Sequence, residues 1–74
     1  MKDFRTLFAE TLEMAEQVMP ETEIRTLEKW DSIAALGVLA MVEEHYGVQL
    51  SGDDFASVVT VGDLERLVTG RAGT

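Results

Sequence analysis

The longest apolar run in this 74-residue chain is Ile33 to Val42, ten residues with no charge among them. A membrane span needs about 20 such residues, so the run reads as a helix buried in protein and no membrane span is expected. The length allows one small domain with a modest core. There is no cysteine. No disulfide can staple the fold, and no thiolate can act as nucleophile or zinc ligand. Such a domain has little stability to spare. Apolar residues make up 46% of the chain, which is too many for a disordered tail.

Around this run the pattern is helical. Phe4, Leu7, Phe8, Leu12, Ala15, Val18 and Met19 recur at helical spacing, with Glu10, Glu13, Glu16 and Gln17 mostly opposite. Pro20 disfavours helix in the residue before it. A first helix is expected over about 3–19. The stretch from Pro20 to Trp30 is long for a connection, and Ile24, Leu27 and Trp30 could pin it to the core. The second helix is expected over 31–46, with Asp31 as N-cap and Gly47 as C-terminal stop. Ser51-Gly52-Asp53-Asp54 has the form of a capped helix start and predicts a short helix over 52–57. Thr60-Val61-Gly62-Asp63 repeats that logic for a last helix over 60–69, ended by Gly70, with 71–74 a frayed end. A strand over Ala56 to Val61 is too short and unpaired to build a sheet. The expected fold is all-α, a single-domain four-helix bundle with three main helices and one short one.

The second helix carries an anomaly. On a wheel of 100° per residue, Leu36, Leu39, Val42 and Tyr46 cluster with Ala35 as the expected core face. The other face holds Ile33, Ala34, Gly37, Met41 and Glu44, where a surface helix would be charged. Two accounts stand. Another segment, such as the Pro20 to Trp30 loop, covers this face, or a partner protein docks on it.

The formal charge is −8 and is shared evenly between the halves of the chain. A negative surface repels phosphate backbones, so nucleic acid is a poor partner. It attracts basic protein surfaces, although acidity also serves solubility. No secretory signal is visible at the N-terminus, and a cytoplasmic protein is expected.

Little independent chemistry is possible. A serine hydrolase needs a histidine within hydrogen-bonding reach. The one histidine, His45, stands thirteen residues from Ser32 on the same expected helix, roughly 20 Å away. Glu43-Glu44-His45 lacks a second histidine at helical spacing, and Asp53-Asp54 lacks the pattern of a calcium loop. No glycine-rich phosphate loop is present. Ser32 itself sits at a helix start, where free N–H groups and the positive dipole end stabilise an anion. A phosphodiester built there would be favoured and would project from a rigid scaffold.

These residues resemble a known family. The stretch Trp30-Asp-Ser-Ile33, the apolar helix, Val42-Glu-Glu-His-Tyr-Gly-Val48, the acidic turn and Thr60-Val-Gly-Asp-Leu64 are together similar to acyl carrier proteins over nearly the whole chain. The resemblance implies a standalone, monomeric, non-catalytic carrier. Its serine, here Ser32, receives 4'-phosphopantetheine from coenzyme A through a phosphopantetheinyl transferase, and Asp31 belongs to the attachment motif. The cofactor supplies the thiol that the chain lacks. It carries acyl or aminoacyl groups between a loading enzyme and a downstream synthase or transferase. The resemblance also favours docking through the helix after the serine, at Trp30, Ile33, Ala34, Gly37, Met41 and Glu44. One departure is informative. Carriers of fatty-acid synthesis usually bear acids soon after the serine, whereas Ala34 and Gly37 stand there and acids begin at Glu43. Docking near the arm is then more apolar, which points to a specialised pathway (polyketide, nonribosomal peptide or unusual lipid). The alternative is a cofactor-free interaction module with the same fold. A small hydrolase working through His45 across a dimer is a third, weaker reading.

Overall fold

The computed structural model describes residues 3–14 and 18–72. Its helices are α1 (Phe4–Thr11), α2 (Ser32–Tyr46), α3 (Gly52–Ala56) and α4 (Val61–Ala72), with one 3-10 turn at Ile24–Thr26. α1, α2 and α4 pack against one another, and no sheet forms among the described residues.

α1 starts where the Asp3 carboxylate accepts the Thr6 N–H at 2.9 Å. It ends well before the expected residue 19. Glu13 takes a left-handed φ of 56°. The Met14 N–H donates to the Ala9 carbonyl at 2.9 Å and the Glu13 N–H to the Glu10 carbonyl at 3.0 Å. This paired closure satisfies the last carbonyls and turns the chain. The apolar spacing continues past it because Val18, outside any helix, folds back and is buried. The expectations for Ala15, Glu16 and Gln17 lie outside the described residues.

The Pro20 to Trp30 connection is stitched to the start of α4. The Ile24 N–H donates to the Val59 carbonyl and the Val61 N–H to the Thr22 carbonyl, forming one antiparallel bridge between Glu23 and Thr60. The Gly62 N–H donates to the Pro20 carbonyl at 2.8 Å. Arg25 donates to the Val58 and Phe55 carbonyls at 2.7 and 3.2 Å, which ties the connection to the end of α3. The segment before α4 is thus paired, through a single bridge and no strand.

Both later helix starts follow their sequence signals. Ser51 and Asp54 form a reciprocal capping box. α3 then stops at Ala56, one residue short of expectation. Thr60 Oγ1 accepts the Asp63 N–H, while the Asp63 carboxylate accepts the Val59 and Thr60 N–H groups. α4 does not end at Gly70, and Arg71 is not frayed. Its guanidinium grips Asp54 with two hydrogen bonds of 2.8 and 2.9 Å, which holds the last turn against α3.

These caps make part of the fold's stability depend on ionised carboxylates. Hydrogen bonds from Arg71, then Ser51, hold the Asp54 carboxyl well below its usual range. The Thr60 and Val59 N–H groups lower Asp63, and Thr6 lowers Asp3. Each folded value lies below the ordinary 3.8, so each contribution is complete above that pH and is lost as pH falls through the folded value. Helical signal followed during acid titration is expected to hold from neutral pH to about 4 and fall below it, with Asp54→Asn shallower in its acid limb. An acid limb identical in Asp54→Asn and wild type would show that the Arg71 contact contributes nothing.

The core is closed by Phe4, Phe8, Ile24, Val38, Val42, Val61, Leu64 and Val68, all almost completely buried. Trp30, the only tryptophan, lies between Phe8 and Phe55. Ring centroids stand 6.3 and 5.6 Å away, with 10° between planes on both sides. This stack ties α1 and α3 to the residue next to Asp31, so the entry to α2 is braced before the helix begins.

Candidate functional site

Asp31 is extended, and its carboxylate accepts the Ala34 N–H at 2.7 Å, which makes it the N-cap of α2. Ser32 is the first helical residue and is exposed. The first-turn N–H groups have no acceptor within the helix, so the hydroxyl stands where the backbone offers donors and a positive dipole end. At the other end Gly47 closes α2 with a left-handed φ of 68° and donates its N–H to the Glu43 carbonyl at 3.0 Å. His45 lies in that last turn, exposed. Thirteen residues of continuous helix separate it from Ser32, so the two cannot form a dyad within one chain. The serine fits an anionic attachment and does not fit self-contained nucleophilic catalysis.

The faces of α2 are rotated from their sequence-based assignment. The buried stripe is Val38, Met41 and Val42, with Ala34 half-buried beside it. Leu36, expected inside, is 66% exposed. Met41, expected outside, is 6% exposed and packs in the core. Gly37 also faces protein. A Cβ built there would stand 3.1 Å from the Thr11 methyl, so glycine lets α1 approach closely. Ala34 is half-buried, and Trp30 is engaged in its stack. Of the six residues expected on the docking face, only Ile33, at 77%, and Glu44 are exposed. α1 covers part of this face, with Thr11 against Gly37.

The physical reason is that α2 is apolar all round, so periodicity alone gives no direction inward. The packing of α1 and α4 decides. What stays outside is Ile33, Leu36 and Ala40, running into Glu43 and Glu44. Ile33 and Glu44 were expected on this stripe, whereas Leu36, Ala40 and Glu43 were missed from sequence. Its signal is the i, i+3, i+7, i+10 spacing that begins beside Ser32 and ends in acids.

A second feature adjoins the serine. An open groove of about 410 Å³ lies between the end of α1, the Glu28-Lys29 turn and the start of α2. Asp31 and Ile33, the two neighbours of Ser32, are both on its wall.

Comparison with known proteins agrees with this geometry. Residues 2–68 match the family model described as "Phosphopantetheine attachment site". The chain is 39% identical over 61 residues to an orsellinic acid synthase of Beauveria bassiana (strain ARSEF 2860), a match covering 81% of the chain but 3% of that protein. The fold is similar to the solution NMR structure of a holo acyl carrier protein from Geobacter metallireducens, with a TM-score of 0.80 and 21% identity, covering 93% of this chain and 80% of that one. An exposed serine on a capped helix start fits the phosphodiester that gives the family its name. The chain therefore belongs to the phosphopantetheine-attachment family and has the acyl carrier fold, and 4'-phosphopantetheine is the prosthetic group of that family.

Proposed function

We propose that Ser32 is the attachment point, and that the chain carries intermediates of a specialised biosynthetic pathway, with polyketide assembly the first choice. The single observation behind the site is the position of Ser32, exposed on the first turn of a helix whose start is fixed by Asp31 and braced by Trp30. The synthase relative supports the pathway class. Among the described residues no helix is long and apolar enough to cross a membrane.

The modification is catalysed elsewhere. The Ser32 Oγ–phosphorus bond forms as the pyrophosphate bond of coenzyme A breaks, and adenosine 3',5'-bisphosphate leaves. The serine proton passes to a base of the transferase, because His45 is at the far end of α2. When bound, the cofactor supplies a terminal thiol that holds acyl groups as thioesters. Asp31 keeps the helix start intact while Ser32 is substituted, and the dipole of α2 stabilises the new negative charge.

The surface presented to partner enzymes is the outward stripe of Ile33, Leu36 and Ala40, with Glu43 and Glu44 at its end. Apolar contact lies nearest the serine, and the acids steer basic partners from one turn further on. The partners implied are a transferase, a loading enzyme and a downstream synthase.

Incubation with coenzyme A and a broad-specificity transferase is expected to add one phosphopantetheine per chain by intact-mass spectrometry. Ser32→Ala is expected to add none while keeping the wild-type melting temperature, since the residue is exposed. Equal modification of Ser32→Ala would move the site. A wild type unmodified by several transferases would leave the cofactor-free interaction module as the better reading.

A further inference from the structure

We infer that the groove between the end of α1 and the start of α2 is a resting site for the neutral, amide-bearing part of the chain's own prosthetic arm. This rests on Ser32 as the attachment point. The groove, about 410 Å³, falls in the range of small-molecule sites. Its position selects the occupant. Asp31 and Ile33 flank Ser32 in sequence and both line it, so whatever is tethered to the serine meets this wall first. Tethering also raises the local concentration of the arm far above that of any free competitor, so weak contacts suffice to dock it.

The lining matches the chemistry of pantetheine. Leu12, Ile33 and Ala34 provide apolar wall for a gem-dimethyl group. Thr11 donates its hydroxyl to the Leu7 carbonyl at 2.8 Å, and its methyl lies at the α1–α2 contact. Glu13 and Glu28 also line the groove, and carboxylates are acceptors suited to amide N–H and hydroxyl donors. Those acids, with Asp31, oppose a second anion in the groove. The phosphodiester therefore stays at the helix start, and the uncharged remainder lies along the wall. Lys29 also lines the groove and reaches the Glu13 carbonyl with a long 3.4 Å contact. That contact links the α1 side of the groove to the Glu28-Lys29 side.

The absence of cysteine makes the test specific, because the arm's thiol is the only thiol in the loaded protein. The holo protein is prepared with coenzyme A, loading is verified by mass, and a thiol-reactive nitroxide is attached to the arm. Amide signals are then compared between the oxidised and reduced label. Apo and holo spectra without the label are compared as well. The expected result is the strongest broadening at Thr11 to Glu13 and at Glu28, with apo-to-holo shifts at the same amides. Lys29→Ala is expected to reduce both. Uniform weak broadening, or broadening centred on the Leu36 face or α4, overturns the resting site while leaving Ser32 as the attachment point. Absence of the mass gain overturns the attachment itself, and the resting site with it.

Discussion

Phe8→Ala is expected to destabilise the domain by about 3–5 kcal/mol, the usual cost of emptying a buried aromatic site. Phe8 is completely buried and touches both Phe4 and Trp30. A domain of this length holds only about 4–11 kcal/mol in total, so the loss takes about a quarter of the margin or more. Each kcal/mol lowers the melting temperature of a domain of this size by roughly 4–8 °C. The midpoint should therefore fall by tens of degrees, or the variant should be unfolded at 37 °C. Trp30 gives a second readout. Losing one of its two stacking partners should shift its emission to longer wavelength even in the folded fraction. Phe8→Leu, which keeps most of the volume, should recover a large part of the stability. A Phe8→Ala melting temperature within a few degrees of wild type would mean that the aromatic stack does not hold the entry to α2.

The consequence reaches function through position. Trp30 is the middle ring of the stack, and the next two residues are the cap and Ser32. Loosening it frees the first turn of α2, so modification of Ser32 by the transferase should slow before the domain has globally unfolded.

What the sequence disclosed, and what it hid, divides along one physical line. Features set by neighbouring residues were legible. Asp31, Ser51 and Thr60 each cap a helix as their side chains dictate, and Gly47 supplies the left-handed stop. Features set by distant contacts, or by a residue that does not usually mark a turn, were not. α1 ends at Thr11 through a left-handed glutamate, where a glycine or asparagine would have announced the turn. Arg71 is ordered because Asp54, seventeen residues away, accepts its guanidinium. The faces of α2 were hidden for a related reason. Leu36 and Met41 are equally apolar, and only the placement of α1 and α4 buries one and exposes the other. Ser32 was found from its local setting, a hydroxyl beside a cap at the mouth of a helix. The surface around it needed the fold.

That rotation of α2 separates two leucine-sized side chains by consequence. Leu36→Asp is expected to leave the melting temperature within about 2–3 °C of wild type, because an exposed substitution away from caps costs little. Its modification rate, measured as kcat/KM for the transferase, should fall about tenfold or more, the loss of about 1.4 kcal/mol typical of a significant interface anchor. Ile33→Asp should behave alike, being more exposed and closer to the serine. Met41→Asp should do the opposite. It buries an unpaired carboxylate and should unfold the domain. Glu43→Lys should mainly change the salt dependence of the rate, since a charge at the rim of an interface acts on encounter more than on the docked complex. If Leu36→Asp is modified at the wild-type rate, the transferase docks on a different face. The same variant would then be assayed with a synthase partner, where an unchanged rate removes the α2 stripe from the docking surface altogether.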